Sequence, residues 1–119
     1  MKTKKPETKP RIIRVNELIK EEIGRLILLE MDFPLDVMVT VTKTKTSLDL
    51  HYCDVFISVF PADKAVESKE ILDKNIYFLQ QKINKKLCMK PVPKIRFEID
   101  RTGEHVEKID KLIEKSKLQ

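Results

Sequence analysis

The sequence predicts an α+β fold in which a three-stranded sheet is packed by helices on one face. Two observations carry this. The hydrophobic period switches between helical and strand-like steps along the chain, and the strand-like runs are grouped rather than alternating one by one with helices. A third observation bounds the size: 119 residues give room for one domain whose core needs neither disulfides nor metal.

Residues 1–10 offer almost no apolar surface to offset the entropy of ordering, so they read as a disordered basic arm. Residues 11–119 are then the domain. In its first element Ile12, Val15, Ile19, Ile23 and Leu26 follow at steps of 3, 4, 4 and 3. That spacing aligns side chains on one helical face, over about Arg11 to Glu30. Gly24 costs this helix roughly 1 kcal/mol relative to alanine, and Pro34 closes the region in which a helix could continue.

Next, Val37, Val39 and Val41 alternate with Met38, Thr40 and Thr42, the period of a strand rich in β-branched residues. A second alternating run places Cys53, Val55, Ile57 and Val59 on one face and ends at Pro61. The short polar connection between the two runs makes them an antiparallel hairpin. From Ala65 the period is helical again: Leu72, Ile76, Leu79, Ile83 and Leu87 form one stripe, compatible with one helix or with two meeting near Asn75. Pro91 and Pro93 end it. Ile95, Phe97 and Ile99 then alternate with Arg96 and Glu98 as a third strand, its prolines at the entry where missing N–H groups do least harm. Val106, Ile109, Leu112 and Ile113 mark a short terminal helix, capped by Asp100 or Thr102.

Composition narrows the function. No apolar run approaches the roughly 18 to 20 residues of a membrane span, and the basic N-terminus lacks the apolar centre of a signal peptide. A cytoplasmic protein with no membrane partner is expected. Cys53 and Cys88 form neither a disulfide framework nor a metal set and read as small buried hydrophobes. His51 and His105 lie in no metal-ligand pattern, and Gly24 and Gly103 are the only glycines, so there is no phosphate-cradling glycine loop. No catalytic residue, metal site or cofactor is nominated, and the protein reads as a non-enzyme.

Charge is more informative. Lys2, Lys4, Lys5, Lys9, Arg11 and Arg14 stand against Glu7 alone, so the whole net charge of +5 resides in the first 14 residues. Yet residues 74–96 hold Lys74, Lys82, Lys85, Lys86, Lys90, Lys94 and Arg96 without one acid. Such segregation creates a local positive field suited to a polyanion. At about 100° per residue, Lys74, Phe78, Lys82 and Lys85 share a sector off the aliphatic stripe, where a ring could stack while ammonium groups meet phosphates. A solvated face with Phe78 packed under a loop is the bland alternative. Lys90, Lys94 and Arg96 follow the helix and extend the patch around its end, and the arm adds a flexible grip. Lysine in excess of arginine favours backbone attraction over base reading.

Three pieces of the chain resemble the ribosome-binding factor A family. S-L-D-L-H-Y-C-D-V-F-I-S-V (47–59) is similar to that family's S-x-D-L-x-x-A-x-V-x-V-S-V, with Cys53 in the alanine place. K-P-V-P-K-I-R-F-E-I-D (90–100) is similar to R-x-x-P-x-L-x-F-x-x-D, and R-V-N-E-L-I-K-E-E-I in the first helix is also similar. The resemblance implies a type II KH-like fold of order α-β-β-α(kink)α-β-α. It implies an assembly factor, without cofactor or catalysis, that binds the free small (30S) ribosomal subunit and its 16S rRNA during late maturation and rRNA processing; a monomer is expected. The family marks a helix-kink-helix with A-x-G followed by F-L-R. Here Asn75-Ile76-Tyr77 occupies the A-x-G place and Gln80 stands for the arginine. Asparagine tolerates non-helical backbone, so Asn75 is the expected pivot, and it is counted with Lys74 among the candidate RNA contacts. A protein-interaction adaptor on the ribosome and a general KH-like RNA-binding protein are the alternative readings.

Overall fold

A computed structural model describes residues 10–102. The basic arm and the terminal helix expected after residue 102 lie outside the described residues. Helix α1 spans Pro10–Glu30, β1 Met38–Thr46, β2 Tyr52–Phe60, α2 Ala65–Lys74, α3 Ile76–Lys86 and β3 Lys94–Ile99, with a 3-10 turn at Ala62–Lys64 before α2. The sheet order is β1-β2-β3, β1 antiparallel and β3 parallel to β2. A parallel partner needs a long crossover, and α2 with α3 supplies it.

One core holds the elements together. Ile19 and Ile23 of α1, Leu72 of α2, and Leu79 and Ile83 of α3 are fully buried against Cys53, Val55 and Ile57 of β2. The three described helices therefore cover the same face of the sheet. Asn16 locks α1 in place: its Oδ1 accepts from Thr46 N at 2.8 Å and Thr46 Oγ1 at 2.6 Å, and its carbonyl accepts from Thr44 Oγ1 at 2.6 Å. Gly24 stays helical because Ile23, Leu26 and Ile27 around it are buried.

β1 departs from simple alternation. Val41 pairs with Ile57 and Lys43 with Phe56, so Thr42 is an extra residue in the strand. Beyond that bulge the parity reverses: Thr46 faces the core, while Lys43 and Lys45 face outward. Thr42 is held by its hydroxyl, which donates to Asp100 Oδ2 at 2.6 Å.

The S-x-D-L segment is a turn. Ser47 Oγ donates to Asp49 Oδ1 at 2.6 Å, His51 N donates to the same oxygen at 3.1 Å, and Tyr52 N donates to Ser47 Oγ at 3.1 Å. Leu50 sits at φ 65, a conformation costing a branched residue about 1 kcal/mol, while its side chain packs on the core. The motif thus builds the hairpin.

Of the two cysteines, Cys53 is buried as expected and Cys88 is exposed. The helix stops at Lys86 and Leu87 turns extended, so Leu87 enters the core and the next side chain leaves it.

Candidate nucleic-acid interface

The bend between α2 and α3 occurs at one residue. Asn75 has φ −102 and ψ 13, neither helical nor left-handed. Its backbone N–H reaches Leu72 O at 3.1 Å instead of Ile71 O, and its side-chain Nδ2 donates to Ile71 O at 2.8 Å. The amide thus satisfies the carbonyl that the bend deprives of its helical partner. Asparagine serves as the pivot through this side-chain bond, without a positive φ.

Gln80, in the place where the resemblance puts arginine, ties α3 to the sheet. Its Oε1 accepts from Ile95 N at 3.0 Å and its Nε2 donates to Pro93 O at 3.1 Å. The side chain imitates a neighbouring strand on the edge of β3 that no other described strand pairs. Asn75 and Gln80 together fix the direction in which the outer face of α3 points.

That outer face carries Lys82, Lys85 and Lys86, all exposed. Among the described residues none of them pairs with a carboxylate, in contrast with Lys69 and Asp73 on α2 at 2.8 Å. Lys82 Nζ lies 5.4 Å from the centre of the Phe78 ring, and Phe78 is 38% exposed, so it is not packed under a loop. Lys85 and Lys86 also occupy the last turn of α3, where the helix dipole favours cations. Lys74 is exposed in the last turn of α2. The bend at Asn75 interrupts the helical count between Lys74 and the lysines of α3.

The remaining sequence candidates divide among three places. Lys90 is exposed in the turn between α3 and β3. Lys94 and Arg96 alternate with the buried Ile95 and Phe97, which directs them to the sheet face opposite the helices. They therefore do not continue the α3 face. Arg96 is engaged there: its Nε donates to Asp54 Oδ1 at 3.0 Å, and its guanidinium lies 4.6 Å from the Tyr52 ring centre. Arg11 is exposed in the first turn of α1. Arg14 lines a groove of about 1030 Å³ between α1 and β1, at the sheet edge remote from β3.

That groove is lined by Ile13, Leu18, Gly24, Leu28 and Met38 together with exposed charges. Those charges are Arg14, Glu17, Lys20, Glu21 and Arg25. No group of three or more metal-binding side chains occurs among the described residues, and no helix there is long and apolar enough to cross a membrane. Cys53 is fully buried, and that burial raises its thiol above its ordinary range, an environment that disfavours the thiolate.

Sequence reasoning passed over several exposed rings and cations. Tyr77, 75% exposed in the first turn of α3, lies beside the lysine face and off the aliphatic stripe. Tyr52, Phe56, Lys43 and Lys45 share the open sheet face with Arg96. The signal for Tyr52 and Phe56 was present as their alternation with Cys53, Val55 and Ile57. For Lys43 and Lys45 the Thr42 bulge concealed it.

Comparison with known proteins supplies independent data. The family model described as Ribosome-binding factor A matches residues 11–113. Ribosome-binding factor A of Clostridium novyi is 33% identical over 105 residues, 87% of each chain. Its namesake in Clostridium botulinum strain Hall is 32% identical over 102 residues, covering 84% of this chain and 85% of its own. The crystal structure of ribosome-binding factor A from Thermus thermophilus superposes with a TM-score of 0.66, over 76% of this chain and 98% of that one, at 18% identity. The last likeness speaks for the fold: an α+β arrangement of three helices on a three-stranded sheet.

Proposed function

The chain belongs to the ribosome-binding factor A family, and from that premise we propose that it holds the small ribosomal subunit through the outer face of α3. It is a non-enzymatic maturation factor of the 30S subunit, with that subunit and its 16S rRNA as partners. Its work lies in the cytoplasm, where subunits are assembled.

The observation that carries the α3 assignment is the set Lys82, Lys85 and Lys86, three ammonium groups that no described carboxylate neutralises. Free lysines on a rigid helix meet phosphates without first breaking internal ion pairs. Lys74, Asn75, Phe78 and Lys90 flank this face, and Arg11 and Arg14 add positive charge on α1. Phe78 supplies a surface for a base or a sugar.

Co-sedimentation with free small subunits tests the reading. The protein with Lys82→Glu, Lys85→Glu and Lys86→Glu leaves the subunit fraction, while the parent chain stays in it. Association that survives the triple reversal, and survives RNase treatment of a minimal complex, would assign subunit binding to a protein contact instead.

A further inference from the structure

The face of the sheet that no helix among the described residues covers carries a second set of rings and cations. On β2, Tyr52 and Phe56 point outward, with Asp54 between them. Lys94, Arg96 and Glu98 of β3 are their neighbours on one side, through the pairs Tyr52–Lys94, Asp54–Arg96 and Phe56–Glu98. Lys43 and Lys45 of β1 are the neighbours on the other, opposite Phe56 and Asp54.

Cations and rings are matched in pairs. Lys43 Nζ lies 4.8 Å from the Phe56 ring centre and the Arg96 guanidinium 4.6 Å from that of Tyr52. Asp54 is already neutralised by Arg96 at 3.0 Å. With Glu98 counted, the face holds Lys43, Lys45, Lys94 and Arg96 against the two carboxylates Asp54 and Glu98, a net charge of +2 around two flat, half-open ring systems. The far end of the same face, Met38 and Phe60, is apolar and carries no cation among the described residues, so the described charge is confined to the half near the hairpin.

We infer that this half of the open sheet face is a second RNA site, which stacks bases of single-stranded RNA on the Tyr52–Arg96 and Phe56–Lys43 pairs. Single-stranded RNA is the occupant because the features are those such a strand needs: flat aromatic and guanidinium surfaces for unstacked bases, and ammonium groups beside them for phosphates. A duplex offers no free base faces to the rings. The rings stand four residues apart on one strand, roughly 13 Å at 3.3 Å per residue, so they take separate bases of an extended strand. The Thr42 bulge is what turns Lys43 and Lys45 to this side. The inference rests on the proposed rRNA-binding role but concerns the opposite face of the molecule.

The chain contains two tyrosines and no tryptophan. Tyr52 lies on the open sheet face and Tyr77 on α3, so each surface has its own fluorophore. In the full chain with Tyr77→Phe, titration with a single-stranded oligouridylate is expected to quench Tyr52. Phe56→Leu, which keeps an apolar cover for the sheet, weakens that binding about tenfold, the loss expected for one base–aromatic stack. Unchanged Tyr52 emission, with quenching of Tyr77 in the Tyr52→Phe chain, would overturn the inference. Equal affinity of the Phe56→Leu and parent chains would overturn it as well. Neither result touches the α3 reading, whose failure shows separately as subunit association that persists after reversal of Lys82, Lys85 and Lys86.

Discussion

The outer face of α3 and the open face of the sheet are both basic, but only the sheet face carries carboxylates beside its cations, Asp54 and Glu98. On α3 the lysines are exposed and free of described carboxylates, with only Lys82 resting near a ring. On the sheet Arg96 is held by Asp54 and Tyr52, and Lys43 lies over Phe56. Free ammonium groups on a helix suit a rigid phosphate backbone, while paired cation–ring surfaces suit exposed bases. The acid-free segment from Lys74 to Arg96 is thus two surfaces on opposite sides of the molecule.

The largest expected effect separates them directly. Reversing Lys82, Lys85 and Lys86 to glutamate should lower affinity for free small subunits by about two orders of magnitude near 0.1 M salt, because phosphate attractions become repulsions. Lys43→Glu with Lys45→Glu should lower it by less than about tenfold, since that pair forms only part of the sheet site. Equal losses measured by filter binding would erase the distinction.

Gln80 connects the two sides and has the next largest effect. Gln80→Ala leaves Ile95 N–H and Pro93 O without their partners, a cost of about 1 to 2 kcal/mol, which a urea unfolding midpoint would register. Gln80→Arg should lose nearly as much, because arginine has no acceptor for Ile95 N–H. A neutral Gln80→Arg chain would mean that the tie to β3 is dispensable.

Asn75 sets the direction of α3 alone. Asn75→Ala abandons the bond to Ile71 O and is expected to cost about 1 kcal/mol. It should also weaken subunit binding while leaving the single-strand site intact. Loss of single-strand binding by this chain would mean that the two surfaces are coupled rather than independent.

The smallest effect belongs to the rim of the sheet. Asp100 is held down at about 2 by the Thr42 hydroxyl, helped by Thr102 and by the charge of Lys43, from an ordinary value of 3.8. Its folded value is the lower one, so the stabilisation is complete above about pH 4 and disappears as the pH falls through about 2. Solvent screening keeps it below about 1 kcal/mol. Thr42→Val should therefore lower the urea midpoint at about pH 6, and the difference should shrink as the pH approaches about 2.

Much of the fold was legible in the sequence because it rests on period. The steps from Ile12 to Leu26 and from Leu72 to Leu87, and the alternation from Cys53 to Val59, mark the buried faces wherever the backbone stays regular. The bulge at Thr42 was not legible: one extra residue reverses the parity after it, and its stabilising partner Asp100 is remote in the chain. The tie from Gln80 to Ile95 escaped for the same reason, since side-chain to backbone bonds across elements leave no periodic trace. The position of Arg96 was legible in part. Its alternation with Ile95 and Phe97 places it opposite the helices once the sheet is covered on one face, although chain proximity to Lys85 and Lys86 suggests one patch.

The central claim is that α3 holds the small subunit through phosphate contacts, and the salt dependence of binding tests it most directly. If about four phosphates are neutralised, affinity for free small subunits falls with salt at a log–log slope of about −3. The chain with Lys82, Lys85 and Lys86 reversed should show a slope shallower by about 2. A slope near zero for the parent chain would contradict the account.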